Sequence, residues 1–351
     1  MVRIALVSTP FLAVPPRGYG GTELVVHELV RGLEAAGHDV TLFATGDSRA
    51  RDLRYLYDAP VWPPDRDAEL RHCGAAARAI ARERFDVVHA HVPAMVAFAG
   101  ELGSPLVYTL HHARDDRLTQ AYLRRPSVHY VAISARQAQL EPELACEVVH
   151  HGLDPERHPL GHGEGDYALF LGRLSPCKAP QVAVAAARAA HVPIRLAGEV
   201  HVVDATPEWK AELGAALADP NVLYVGPVGG ERKMQLLGGA RALLMPLGWE
   251  EPFGLVMIEA MLSGTPVIAF PRGAAPEIVD EGITGFLVDG QAEMAAVLAQ
   301  LETFDRVACR RRAQARFRSA RMVRDYERVY ARAVATAGLS AGGAEESSYA
   351  G

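Results

Sequence analysis

No apolar run in this 351-residue chain reaches the roughly 18 residues that a membrane-spanning helix requires. The opening Met1-Val-Arg-Ile4 reads as the start of a strand rather than a signal peptide, so a cytoplasmic location is expected. Cysteine is scarce: Cys73, Cys146, Cys177 and Cys309 are widely scattered, with no C-x-x-C pair. That spacing supports neither a disulfide framework nor a zinc site, and reduced thiols are expected. The net charge of −6 argues against nucleic acid as an obligate partner. Lysine is almost absent, for only Lys178, Lys210 and Lys233 stand among 36 basic residues. The G-x-G-x-x-G dinucleotide fingerprint is also missing from the loop after the first strand.

What is present is an apolar fraction of 49%, with a mean hydropathy of +0.03, which suits a well-packed globular protein. The length calls for two α/β domains of about 150 residues each. Ile4–Val7 is a continuous apolar strand of the kind buried in parallel sheets. Val26, Leu29, Val30 and Leu33 then recur at helical spacing, and Gly37 ends that helix. Further strands are expected at Val40–Phe43, Asp86–His89, Leu106–Thr109, Tyr130–Ile133 and Glu147–Val149. A Gly-rich stretch, Pro159–Asp166, reads as a linker. A second series follows at Tyr167–Leu171, Ile194–Ala197, Val222–Val225, Ala242–Met245 and Pro266–Phe270. Two runs of strand–helix alternation mean two doubly wound sheets, whose ligands bind beyond the carboxyl ends of the strands. The expected division is 1–160, 161–318, a helix at 319–336 returning to the first domain, and a disordered tail at 337–351.

Four constellations could carry chemistry. Gly18-Tyr-Gly-Gly21 lies between the first strand and a helix, so it is either an anion site of bare backbone N–H groups or simply a tight turn. Gly172-Arg-Leu-Ser-Pro-Cys-Lys178 follows the first strand of the second series. Arg173 and Lys178 in one loop are either a solvated surface pair or, as their mutual repulsion favours, the two sides of a polyanion such as a diphosphate, whereas Lys210 and Lys233 read as solvated surface lysines. In Glu251-Pro-Phe-Gly-Leu-Val-Met-Ile-Glu259, Glu259 falls on the buried stripe of Leu255, Ile258 and Leu262. A carboxylate there needs hydrogen-bond donors, either ribose hydroxyls or donors from the protein itself. Glu251 precedes that helix, level with its free N–H groups. Finally, His111 and His112 end one strand, and His89 and His91 end another. No neighbouring carboxylate completes a ligand set, so no metal site is expected.

Gly172-Arg-Leu-Ser-Pro-x-Lys178, the E-x7-E pair within Trp249–Met261, Gly264-Thr-Pro-Val267, Gly273–Asp280 and Gly285–Val288 together resemble the retaining glycosyltransferases of family 4. Asp86-Val-Val-His89 and Val149–Asp154 agree. The resemblance spans about Arg3 to Arg332. It implies the α/β GT-B fold, two Rossmann-like doubly wound domains facing across a cleft, with the acceptor side first and the donor domain second. The implied reaction moves a hexose-type sugar from a nucleoside-diphosphate sugar to a hydroxyl acceptor, with retention and without a metal or other cofactor. Its setting would be glycan, glycoconjugate or natural-product biosynthesis. Arg173 and Lys178 would hold the donor diphosphate with backbone help from Gly20 and Gly21. Glu259 would hold the ribose, and Glu251 would contact the transferred sugar. The amides of Phe253, Gly254 and Leu255 would face sugar or phosphate, and the loop to Val228 would cradle the base. His111 matches the histidine beside the sugar, with His112 the alternative. Cys177 and Ala179 depart from the Glu and Gly common beside the lysine, and His150-His151 replaces an Asn before the Gly.

A sugar-nucleotide epimerase of the same fold, or a noncatalytic nucleotide-binding module, is the rival reading. The arginines between Arg306 and Arg328 would either meet an anionic membrane or belong to a helix pair that braces the first domain. Their interleaved acids, Asp325 and Glu327, favour bracing.

Overall fold

The computed structural model describes residues 1–201 and 205–346. The chain forms two compact units: Met1–Pro16 with Gly20–Gly152 and Ser319–Gly351, and Arg17–Tyr19 with Leu153–Arg318.

The first unit is a seven-stranded parallel sheet in the order β3-β2-β1-β4-β5-β6-β7. Its strands are β1 (Arg3–Val7), β2 (Asp39–Ala44), β3 (Asp52–Tyr55), β4 (Val87–Ala90), β5 (Leu106–Leu110), β6 (His129–Ala132) and β7 (Glu147–Val148). The helices are α1 (Gly21–Ala35), α2 (Arg66–Ile80), α3 (Asp116–Leu123) and α4 (Ala135–Leu140). Ile4, Ala5, Leu6 and Val7 are all fully buried, as a central strand covered on both faces requires. β3 is the strand that apolar patterning misses, because Asp52-Leu-Arg-Tyr55 is a polar, partly exposed edge.

The second unit is a six-stranded parallel sheet in the order β10-β9-β8-β11-β12-β13. It comprises β8 (Tyr167–Leu171), β9 (Ile194–Ala197), β10 (Val222–Gly226), β11 (Ala240–Met245), β12 (Val267–Ala269) and β13 (Gly285–Leu287). Its helices are α5 (Pro180–Ala189), α6 (Pro207–Leu217), α7 (Gly230–Gly239), α8 (Leu255–Leu262), α9 (Ala275–Ile278), α10 (Gln291–Leu298) and α11 (Arg306–Phe317). In this order the strand numbering reverses between β8 and β11, so the loops leaving those two strands flank the switch point where such sheets take ligands.

Two boundaries differ from the sequence reading. The second unit begins at Leu153 rather than 161, because the supposed linker is tied down: Gly161, Gly163 and Gly165 donate backbone hydrogen bonds to Ser263, Gly238 and Gly239 at 2.9, 3.0 and 3.0 Å. The extended backbone of Arg318 (ψ 139°) separates α11 from α12 (Ser319–Glu346). The tail expected to be disordered from 337 is helical to Glu346, and residues 347–351 lie outside the described residues.

The arginines divide with the helices. On α11, Arg306 donates to Thr265 Oγ1 at 3.1 Å and Arg316 to the carboxylate of Asp280 at 2.6 Å, both inside the second unit. On α12, Arg321 donates to the carbonyls of His150 and His151 at 2.8 and 2.7 Å, inside the first. Of the expected helix pair, then, only α12 packs in the first unit. It meets α1 where Gly32 leaves room, since a Cβ there would lie 2.4 Å from Val323 Cγ2. Among the described residues, no helix is long and apolar enough to cross a membrane.

Candidate active site

The loop after β8 carries Arg173 and Lys178. A short 3₁₀ turn, Pro176–Lys178, leads to Ala179, which holds a left-handed conformation (φ 49°, ψ 51°) at the start of α5. That geometry explains why glycine is usual at this position. The backbone carbonyl of Cys177 accepts from the N–H of Gly248 at 2.9 Å, fastening this loop to the one that leaves β11. As a result the ammonium of Lys178 meets the carboxylate of Glu251 in an ion pair. The two side chains are only 14% and 9% exposed, so the pair is largely desolvated. Trp249 donates its indole N–H to the same carboxylate oxygen, at 2.9 Å, and its ring lies 5.3 Å from the Lys178 nitrogen. Arg173 differs: its buried Nε has no hydrogen-bond partner among the described residues, and its guanidinium makes no ion pair there.

Glu251 is also held from behind. The N–H of Ala274 donates to its backbone carbonyl at 2.8 Å, and Gly273 (φ 60°) presses so closely that a Cβ would lie 2.1 Å from the Glu251 nitrogen. Sequence reading treated Gly273–Asp280 only as a motif; the structure makes it a clamp on Glu251.

Gly254 caps α8 in a left-handed conformation (φ 81°) and offers no side-chain cap, so the helix presents its first N–H groups as a bare N-terminus. Phe253 is buried and packs edge-on against Phe317, with ring centroids 6.2 Å apart, which leaves its backbone rather than its ring for a ligand. Val228 is buried in the loop between β10 and α7. On α8, Leu255 opens the helix, and Glu259 is buried on the stripe predicted for it. Its donor is a residue that sequence reading assigned to the surface: Lys233, on the first turn of α7, forms an ion pair with Glu259. Lys233 is 17% exposed, whereas Lys210 is exposed, as expected of a solvated lysine. His158 also faces Glu259; burial depresses its pKa, so its imidazole is neutral, and its Nδ1 lies 3.0 Å from the Asp154 carbonyl.

In the first unit, Gly20 and Gly21 begin α1, whose N-terminus has no side-chain cap. A Cβ on Gly20 would collide with Pro16 at 2.7 Å, whereas Gly21 borders open space. Glu23 on the first turn is buried against Thr9 at 2.6 Å, and burial raises its pKa.

The histidines gather near the ends of β4 and β5, where His89, His91 and His151 are buried and His111 and His112 are partly buried. His111 Nε2 lies 2.8 Å from His91 Nδ1, and the ring stacks on His151 at 5.3 Å. Burial, with a smaller contribution from the charge of His112, pushes His111 down to about 3. His89 lies between Tyr330 at 2.7 Å and Thr109 at 2.8 Å. His112 uses both ring nitrogens locally, one with the Ala113 carbonyl at 2.7 Å and one with Tyr122 at 2.8 Å. Of the two candidates, His111 therefore keeps a ring nitrogen without a hydrogen bond among the described residues. Among the described residues, no group of three His, Cys, Asp or Glu is placed to hold a metal.

A cavity of about 1060 Å³ opens in this unit beside Tyr122, lined by Arg66, Glu69, Pro93, Arg117 and Arg125 among others.

Known proteins share this construction. Residues 19–157 match the family described as Glycosyltransferase Family 4, and residues 165–303 match the one described as Glycosyl transferases group 1. A D-inositol 3-phosphate glycosyltransferase of Streptomyces scabiei is 31% identical over 256 residues, which cover 59% of this chain and 57% of that protein. The chain thus spans little more than half the length of the first curated relatives it matches. AviGT4, a glycosyltransferase involved in avilamycin A biosynthesis, superimposes with a TM-score of 0.74 at 28% identity, over 96% of this chain and 99% of that one. Anabaena HepE in complex with UDP-glucose has the same fold, with a TM-score of 0.72 at 18% identity over 94% and 99%. With both halves matched and both parallel sheets in place, the chain belongs to the family 4 glycosyltransferases of GT-B fold.

Proposed function

We propose that the protein transfers a sugar from a nucleoside-diphosphate sugar to a hydroxyl acceptor, with retention of configuration and without a metal. The observation that carries this reading is the pairing at the switch point between β8 and β11. There Arg173 is a cation without a hydrogen-bonded or ion-paired partner among the described residues, and Lys178 and Glu251 neutralise each other. A diphosphate supplies the anion that Arg173 lacks and competes for Lys178, which frees Glu251 to accept from sugar hydroxyls. Arg173 and Lys178 then stabilise charge developing on the leaving oxygen. The bond from the anomeric carbon to the diphosphate breaks, the acceptor oxygen bonds on the same face, and its proton passes to the departing diphosphate. Glu259 takes the ribose, the loop to Val228 the base, and the amides at Phe253, Gly254 and Leu255 the sugar or phosphate. In the first unit, Gly20 and Gly21 offer backbone N–H groups to the diphosphate, and His111 serves the sugar. The bound UDP-glucose of the HepE structure supports a uridine donor as the first to try.

A thermal-shift screen of UDP-, GDP- and dTDP-sugars identifies the donor, since a ligand that binds only the folded state raises the melting temperature. Product NMR with an α-linked donor then tests retention, and the same assay with chelator tests metal independence. A β-linked product would refute retention. Release of an epimerised sugar without any transfer would refute the transferase reading.

A further inference from the structure

Among the described residues, Lys233 is the cation that pairs with Glu259. It comes from the first turn of α7, directly after the loop of Val228, and its ammonium pairs with Glu259 Oε1. The carboxylate is 6% exposed, so its pairing decides its energetics. His158, the other titratable group facing it, is neutral, so Lys233 supplies the compensating charge among the described residues. The remaining oxygen, Oε2, accepts no hydrogen bond from the protein among the described residues.

We infer that Lys233 is a positioning residue of the nucleoside site that makes the protein tolerant of 2′-deoxyribose donors. This rests on the reading of Glu259 as the ribose acceptor. A buried carboxylate satisfied only by two ribose hydroxyls rejects a 2′-deoxynucleotide severely, because the missing hydroxyl leaves it under-bonded; sites of that kind discriminate by roughly 10⁴-fold. Here Lys233 already holds one oxygen and compensates the charge. The 3′-hydroxyl alone then suffices for the other oxygen, and losing the 2′-hydroxyl costs one hydrogen bond without orphaning a charge. Donors built on either ribose or deoxyribose therefore fit, and the base and sugar subsites select between them.

Dissociation constants of UDP against 2′-deoxy-UDP, and of GDP against 2′-deoxy-GDP, measured calorimetrically, test this. For the base that binds, the wild-type ratio of deoxy to ribo is expected to stay below about tenfold. In Lys233→Met it should rise at least another tenfold, and in Lys233→Arg it should remain near wild type. Because the ratio is taken within one variant, a general loss of stability cancels; should Lys233→Met not fold, Lys233→Gln and the wild-type ratio still decide. A wild-type ratio above about 100-fold, or a ratio unmoved by Lys233→Met, overturns the proposal. The reading beneath it fails separately: Glu259→Gln binding ribonucleotide with undiminished affinity, or no binding of either ribonucleotide, removes the ribose assignment itself.

Discussion

The ammonium of Lys178 and the carboxylate of Glu251, 73 positions apart in the chain, are ion-paired in a setting that leaves neither much water. Arg173, in the same loop as Lys178, has no such partner among the described residues. The two cations should therefore behave differently when removed. Arg173→Ala is expected to leave stability within about 0.5 kcal/mol of wild type, since it breaks no ion pair among the described residues. Lys178→Ala strands a desolvated carboxylate and should cost up to about 3 kcal/mol. Both should lower turnover by about 10²- to 10³-fold if they stabilise the leaving diphosphate. Denaturant melts and kcat for the two variants check this together. Near wild-type turnover at saturating donor in either would sink the diphosphate role, and equal melts would sink the contrast.

Ala179 occupies a conformation that favours glycine, with φ at 49° and ψ at 51°. Relieving it by Ala179→Gly should recover about 1–2 kcal/mol of left-handed strain, offset in part by greater freedom of the unfolded chain. A net gain of about 0.5–1 kcal/mol is expected, with the Lys178–Glu251 pair undisturbed. A loss of stability on this substitution would show that the loop is not strained there.

Stability should fall on mild acidification. Burial holds His72 at about 4 and His111 at about 3, and it depresses His89, His91 and His151 as well. These groups are neutral when folded but take up protons below the ordinary value of 6.5 when unfolded. Their contribution is therefore complete above pH 6.5 and is lost as pH drops toward 4 for His72 and toward 3 for His111. Each adds a slope of about 1.4 kcal/mol per pH unit in that window. Glu23 and Glu69, raised by burial, act in the opposite sense but are outnumbered. Melting temperatures from pH 7.5 to 5.5 should decline steeply below 6.5; a flat profile would mean that the cluster opens to solvent.

Much of this was legible in the sequence. Apolar runs at Ile4–Val7 and Tyr167–Leu171 located central strands because full burial leaves no polar alternation. The E-x7-E spacing placed Glu259 on a buried stripe, and burial follows. What escaped was set by long-range neighbours. Lys233 looked like any solvated lysine because its partner lies 26 residues onward, on another helix; yet its rarity in an arginine-rich chain was the same signal that singled out Lys178. Nothing in the sequence around Trp249 announces that its indole serves Glu251. The glycines of 161–165 looked like a linker because composition cannot distinguish a flexible glycine from one pressed against another backbone.

Gly273 offers the sharpest separation of positioning from stability. Its φ of 60° is left-handed, and a Cβ would fall 2.1 Å from the nitrogen and 2.3 Å from the oxygen of Glu251. Gly273→Ala must therefore push the Glu251 backbone away, whatever else relaxes. Gly282 is its natural control: it too is left-handed (φ 70°), but nothing lies within 4 Å of its would-be Cβ. Both substitutions carry the same conformational penalty, about 1–2 kcal/mol. Only Gly273→Ala moves a residue that we assign to the transferred sugar, and a displacement of about 1 Å at such a centre costs on the order of 10²-fold in rate. Nucleoside diphosphate binding, which we assign to Arg173 and Glu259, should change far less than kcat. Measured side by side, Gly282→Ala should lower the melting temperature with kcat intact, and Gly273→Ala should lower both. If Gly273→Ala keeps full turnover, Glu251 is not the group that meets the sugar.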